Sequence, residues 1–357
     1  MRNWIILIVF CFITAGCDRD KTIDEIKIIQ SLGYDIEGDK IIGSASYPVY
    51  VKSTQNPPEF KLLTAKSDTS HGIFTSFTYQ SPYPIEIGQT RSILLGEEFA
   101  KRGISEVIGT LVRDPIMGSN AKIVISKQSA RTILSEMMKY PPFYMSNIIE
   151  QNMVTGNMPQ SNVHSVLFQY YGDGQDISLP FIRLNESGSL EMDGLGVFKK
   201  DKLKLHLNNT ETFLFKLITN KKIHGYMEFV TEEKEKIFLK VMYGQNQLSV
   251  VNSGDKPRVK LNLTLNILLK DFPSELDLSN KKDALLITNK TEEHLSKKVK
   301  ELIETFRDNQ LDPIGIGDAF RGKERDWNQK NFDEKIYPNL SFEVYVKCNL
   351  LQSGVGD

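Results

Sequence analysis

A chain of 357 residues, 40% hydrophobic and 25% charged, has the composition of a globular protein with a sizeable core, and its length suits about two or three domains. Lys and Arg number 44 against 45 Asp and Glu, so the formal net charge is −1, which argues against a nucleic-acid binder with its concentrated basic face. The three cysteines, Cys11, Cys17 and Cys348, exclude a disulfide-built scaffold.

Arg2 precedes an unbroken apolar run, Trp4 to Ile13, and Thr14-Ala15-Gly16-Cys17 follows. The run has the length of a signal-peptide core and is short for a bilayer span. The small residues before Cys17 resemble a bacterial lipobox. In that reading residues 1–16 form a signal peptide, and Cys17 becomes the first mature residue and carries a diacylglyceryl anchor; the alternative is an ordinary cleaved signal or a frayed apolar N-terminus. Stable anchoring takes two acyl chains, at ~0.8 kcal/mol per buried CH₂. No later stretch reaches the ~20 apolar residues of a membrane helix, which argues against a channel or transporter.

Glu37-Gly38-Asp39 is a turn signal, and Lys40 to Lys52 reads as a strand pairing back across it. Residues 71–79 fit helix or strand. Ile85 to Leu95 is strand-like, and Glu97 to Arg102 is a short helix stopped by Gly103. Ser105 caps a helix over 106–112, Ala121 to Ile125 is a buried strand, and helices follow over 129–139 and 143–154. Alternating helices and strands suggest an α/β or α+β arrangement for this half. A linker-like zone then runs through Gly172-Asp173-Gly174 to Asn185–Ser189, which places a boundary near residue 187.

Beyond it, Leu190–Phe198 and Lys202–Leu207 are short strands and Thr210–Ile218 is a helix. Val259, Leu261, Leu263, Leu265, Ile267 and Leu269 alternate with mostly polar residues, the pattern of an antiparallel strand with one wet face. Leu295, Val299, Leu302, Ile303 and Phe306 form one helical stripe, with Asn289 and Glu292 placed as a capping box. A last strand, Leu340 to Leu350, turns Cys348 into the core. The fold class is therefore α+β and multidomain: a mixed α/β region over residues 17–187, then a domain over 188–357 with an antiparallel sheet packed by a long helix.

The five histidines are dispersed, and HExxH, GxSxG, Walker and dinucleotide-loop motifs are missing from the sequence. Gly315-Ile316-Gly317 reads as a tight turn or close packing. Glu97 and Glu98 read as helix N-terminal acids, and Trp327 with Phe332 as core aromatics. No catalytic residue, metal ligand or cofactor site is expected.

Several stretches together resemble the Ger(x)C family of spore germination lipoproteins, the C subunits of nutrient germinant receptors. They are Leu95–Ile104 with Gly96 and Gly103, Arg113-Asp114-Pro115, Gly194–Leu203 with Phe198, and a C-terminal series of Asp312, Gly315, Gly317, Phe320 and Trp327. Asp18 stands where the family often has Trp, and Phe332 replaces a second Trp. The resemblance implies a non-enzymatic subunit on the outer face of the membrane, the inner membrane in the spore. It implies action with two membrane-embedded partners, A and B, to trigger germination in response to nutrients. The motif positions other than Cys17 are expected to shape the fold. A solute-binding lipoprotein that captures a small nutrient is a second reading, and it calls for a concave polar pocket; an exported enzyme with a dispersed site is a third.

Overall fold

The computed structural model describes residues 25–49, 59–113, 118, 120–231, 233–251, 257–323 and 326–351. In chain order the first elements are β1 (Lys27–Ile28), β2 (Ser31–Glu37), β3 (Lys40–Val49), β4 (Glu59–Ser67) and α1 (Ser70–Gln80). Next come β5 (Ile85–Glu86), β6 (Ser92–Gly96), α2 (Glu97–Arg102), α3 (Ser105–Arg113) and β7 (Lys122–Ser126). Helices α4 (Ala130–Met137), α5 (Tyr144–Val154) and α6 (Val163–Tyr171) precede β8 (Ser178–Leu184), β9 (Leu190–Lys199) and β10 (Lys202–Leu207). The rest of the chain forms α7 (Asn209–Thr219), β11 (Ile223–Val230), β12 (Lys236–Val251), β13 (Arg258–Asp271), α8 (Lys281–Asp308), α9 (Ile316–Arg321), α10 (Gln329–Asn331) and β14 (Ser341–Leu350).

Eight strands form one sheet in the order β10-β9-β8-β7-β6-β2-β3-β4. Its middle strands, β2, β6, β7 and β8, run parallel, and antiparallel hairpins complete both margins. Parallel strands covered on both faces read as continuous apolar runs, which explains the sequences SILLG and KIVIS. Ile93, Leu95, Ile123 and Ile125 face a core shared with Ile73, Phe99, Val107 and Val166 of α1, α2, α3 and α6. Leu94 and Val124 face a second core with Ile133 and Ile149 of α4 and α5. Gly38, at φ +58°, makes the expected turn between β2 and β3, and residues 71–79 are helical.

Four strands form the second sheet, β11-β12-β13-β14. Its first three are antiparallel, and α8 lies on one face with Leu295, Val299, Leu302, Ile303 and Phe306 buried. Each such side chain contributes about 1.5–3 kcal/mol through burial. Strand β14 runs parallel to β13, because α8 carries the chain back along the sheet to the end where β13 begins. Helix α8 also starts earlier than the capping-box spacing implied. Asn280 is its N-cap, accepting from Lys282 N–H at 2.9 Å, and Asn289 is mid-helix. The hydroxyls of Thr288 and Thr291 bond back to the carbonyls of Ala284 and Ile287, which satisfies them inside a helix.

Three further details differ from the sequence pattern. The stretch 85–95 is two strands separated by a turn in which Thr90 N–H donates to Ile87 O. Helix α6, ahead of the Gly172 turn where the sequence pattern predicted no element, is opened by Asn162 and Ser165 in a reciprocal capping box with serine as the third helical residue. Strands β9 and β10 belong to the eight-stranded sheet, so that sheet continues past residue 187. Helix α7 then lies between the two sheets and is buried along Thr212 to Ile218. One apolar core accordingly joins Leu195 and Val197 of β9, α7 and the whole second sheet.

Candidate functional site

The C-terminal motif residues gather where the two sheets meet. Helix α8 stops at Asp308, and Gln310 takes φ +58° while Leu311 N–H bonds Phe306 O. This left-handed exit turns Asp312 inward, where it is only 4% exposed. Its Oδ1 accepts from Gly315 N–H at 3.0 Å and Ile316 N–H at 2.9 Å, and its Oδ2 from Gly317 N–H at 2.7 Å. One carboxylate thus satisfies the opening turn of α9. Gly315 supplies the positive φ, +84°, that folds the backbone around the carboxylate.

Four hydrogen bonds tie this turn to the segment between α6 and β8. Asp176 N–H donates to Asp312 O at 2.8 Å and Asp318 N–H to Gly174 O at 2.9 Å. Asp312 N–H returns a bond to Asp176 Oδ2 at 2.7 Å, and Gln175 Nε2 donates to Pro313 O at 3.0 Å. Gly317 permits this approach: a Cβ there would lie 2.7 Å from Gly174 Cα. Lys199 Nζ, at the end of β9, reaches Asp176 Oδ2 at 3.1 Å and lies 4.0 Å from Asp333 Oδ2.

Burial pushes the Asp312 carboxyl up to about 7, against the pull of its three N–H donors. Burial also raises Asp176, with Lys199 drawing it the other way. Below them Phe332 meets Phe320, Trp327 and Tyr337 at ring separations of 5.3, 5.3 and 5.5 Å, and the Tyr337 hydroxyl donates to Leu311 O. Phe332 is buried in the core, while Trp327 is only half-buried and packs against it. Beside the hub a cleft of about 200 Å³ opens between Tyr170, Asp173, Lys199, Lys200 and Asp333. It carries both charge signs.

A second contact joins the sheets on the opposite face. Lys216 of α7 is fully buried, and its ammonium donates to Gly156 O at 2.6 Å, just past the end of α5. Asn157 pairs with the backbone of Tyr226 through bonds of 2.7 and 3.0 Å, and His224 Nε2 meets Val154 O. Burial lowers the Lys216 amine to about 8.

The other motif residues lie elsewhere, at close backbone approaches. Gly103 ends α2 at φ +139°, where a Cβ would come 2.6 Å from Asp201 Oδ2. A Cβ at Gly96 would strike Asp35, whose carboxylate accepts from Ala130 and Arg131 N–H at the start of α4. Gly194 takes φ +96° against the backbone of Leu207, and Phe198 is fully buried in the core that Ile93 and Phe99 share. Cys17 and Asp114 lie outside the described residues. Cys348 is buried, and burial raises its thiol to about 12, which makes it inert. Glu97 pairs with Lys101 and Lys127 at the start of α2. Among the described residues, no group of three or more His, Cys, Asp or Glu could hold a metal ion, and no helix is long and apolar enough to cross a membrane.

Sequence reasoning passed over Asp176 and Lys216. Lys216 had a signal, a single cation within the apolar run Phe213–Ile218. Asp176 had none, since an aspartate beside a glycine turn is ordinary.

Residues 19–184 match the family model described as the spore germination protein N-terminal domain. Residues 193–354 match the model described as spore germination B3/GerAC like, C-terminal. Spore germination protein GerQC of Bacillus cereus is 26% identical over 361 aligned residues, covering 99% of each chain. Spore germination protein KC of Bacillus subtilis (strain 168) is 18% identical, covering 98% of this chain and 95% of the relative. The crystal structure of the GerBC protein shares the fold, with a TM-score of 0.60 and 17% identity over 90% of this chain and 97% of that one.

Proposed function

The chain belongs to the GerAC-like family of spore germination proteins, and on that premise we propose that it is the C subunit of a nutrient germinant receptor. In this reading residues 1–16 are removed and a lipid on Cys17 holds the body at the outer face of the membrane. The subunit works without turnover beside two membrane-embedded partners, A and B. The observation that carries the reading is the match of both family models, in order, along nearly the whole chain.

The junction supports a role in passing a docking event from one sheet to the other. Packed, hydrogen-bonded contacts transmit displacement because they are close to incompressible. A partner that moved the eight-stranded sheet would move the Asp312 turn with it. In this reading Asp312, Gly315, Gly317, Phe320 and Trp327 shape that coupling and touch no nutrient.

The test is nutrient-triggered dipicolinic acid release from spores carrying Cys17→Ala, beside wild type and a full deletion, over a panel of amino acids and sugars. Failure of both mutants on the same nutrient supports a tethered receptor subunit. Normal germination of the deletion on every nutrient, with no paralogue to cover for it, would sink the reading.

A further inference from the structure

The chain enters the described body at one end of the eight-stranded sheet. Strands β2, β6 and β7 all begin there, and their leading residues are joined in a row. Arg91 N–H donates to Gln30 O at 2.9 Å, and Lys122 N–H to Arg91 O at 2.8 Å. Ile26 and Ile28, just ahead of this row, border an open groove of about 330 Å³ completed by Pro48, Gln89, Arg91 and Phe143. Two cations lie over aromatic faces at this end. The Arg91 guanidinium carbon is 4.0 Å from the centre of the Phe143 ring, and Lys27 Nζ is 4.8 Å from that of Tyr83. Neither cation forms an ion pair with another of the described residues. Tyr83 is 40% exposed. Glu25 and Glu59 are exposed at the same end, so its charge is mixed.

The length of chain ahead of this end limits what can meet it. Eight residues separate Cys17 from Glu25 and reach at most about 28 Å. A body of this size is roughly 50 Å across. The opposite end, at the Gly38 turn, lies a further strand length away, about 23 Å for seven residues. The near end therefore meets a bilayer with slack in the tether, while the far end meets it only with the tether near its limit.

We propose that this end of the eight-stranded sheet is a membrane-contact surface that rests in the headgroup layer of a phospholipid bilayer. Tyr83, Phe143 and Ile26 enter the interfacial layer, and Lys27 and Arg91 extend along them to the phosphates. Amphipathic rings and long cationic side chains favour this wet boundary. Because the charge is mixed, the contact depends on the rings more than on ionic strength. The proposal rests on the lipid-anchor reading of Cys17.

The test places an environment-sensitive fluorophore at Gln89→Cys, in the groove, or at Asp39→Cys, on the far turn, in the mature lipidated protein. Cys348 is buried and stays unlabelled. Vesicles of phosphatidylethanolamine and phosphatidylglycerol carry headgroup spin-labelled lipid as the quencher. Loss of fluorescence at position 89, persisting at high salt, with no loss at position 39, is the expected result. Tyr83→Ser with Phe143→Asn should reduce the loss at 89; asparagine accepts the left-handed φ of +68° that Phe143 adopts. Quenching at 39 equal to that at 89, or none at 89 on vesicle-bound protein, overturns the proposal. If the lipidated protein does not float with the vesicles, the anchor reading fails instead. The same two labels on protein tethered to nickel-chelating lipid by a histidine tag replacing residues 1–17 then decide the face.

Discussion

Two buried titratable side chains hold the sheets together, and they are handled in opposite ways. Asp312 receives three backbone N–H groups and sits in a turn whose backbone is bonded to Gly174 and Asp176. Lys216 gives one bond to Gly156 O and is otherwise wrapped by the apolar residues of α7 and its neighbours. The first organises the backbone around it, whereas the second is a contact made by a side chain that its helix does not need. Removing a partner from a buried polar network costs more than replacing a lone buried charge with an apolar side chain of like shape.

The largest expected effect is therefore that of Asp312→Ala, which leaves three N–H groups without an acceptor. It should cost about 3–5 kcal/mol by calorimetry or denaturant unfolding, since each buried group left unsatisfied costs about 1–3 kcal/mol. Asp312→Asn keeps one acceptor oxygen and should cost clearly less. Equal losses from both would show that the carboxylate does not organise the turn.

Gly317→Ala comes next. The new Cβ meets the Gly174 backbone, which cannot rotate aside, and overpacking of this kind costs about 1–3 kcal/mol. Limited proteolysis should also open the segment between α6 and β8. Unchanged stability and cleavage would mean that the two segments separate freely.

Lys216→Met should move stability by only about 1 kcal/mol, because the loss of one hydrogen bond is offset by relief of a desolvated charge. A loss as large as that of Asp312→Ala would erase the contrast between the two contacts.

The finest discrimination comes from pH. The folded pKa of Asp312, about 7, lies above its ordinary 3.8, so the folded protein keeps a proton that the unfolded chain has released. That contribution to stability is complete below pH 3.8 and is lost as pH rises through about 7. The folded pKa of Lys216, about 8, lies below its ordinary 10.5, so its contribution is complete above pH 10.5 and is lost as pH falls through about 8. The Tm of wild type minus that of Asp312→Asn should fall between pH 4 and 7. The Tm of wild type minus that of Lys216→Met should rise between pH 8 and 10. A flat difference in either window would mean that the corresponding group titrates alike in both states.

The sequence by itself determined what local spacing controls. The 3.6-residue stripe on α8 forms its buried face, the alternation in β13 faces the core, and Gly38 makes the β2–β3 turn. The motif residues Asp312, Gly315, Gly317, Phe320 and Trp327 were legible as a group only through the resemblance to the family's C-terminal series. The tertiary structure decided what depends on partners distant in sequence. Asp176 reaches Asp312 across 136 positions and Lys216 reaches Gly156 across 60, and no local pattern encodes either pairing. The parallel entry of β14 and the continuation of the larger sheet through β9 and β10 are of the same kind. A strand's own residues state which face is buried, while the neighbour it pairs with is chosen by the packing of everything between them.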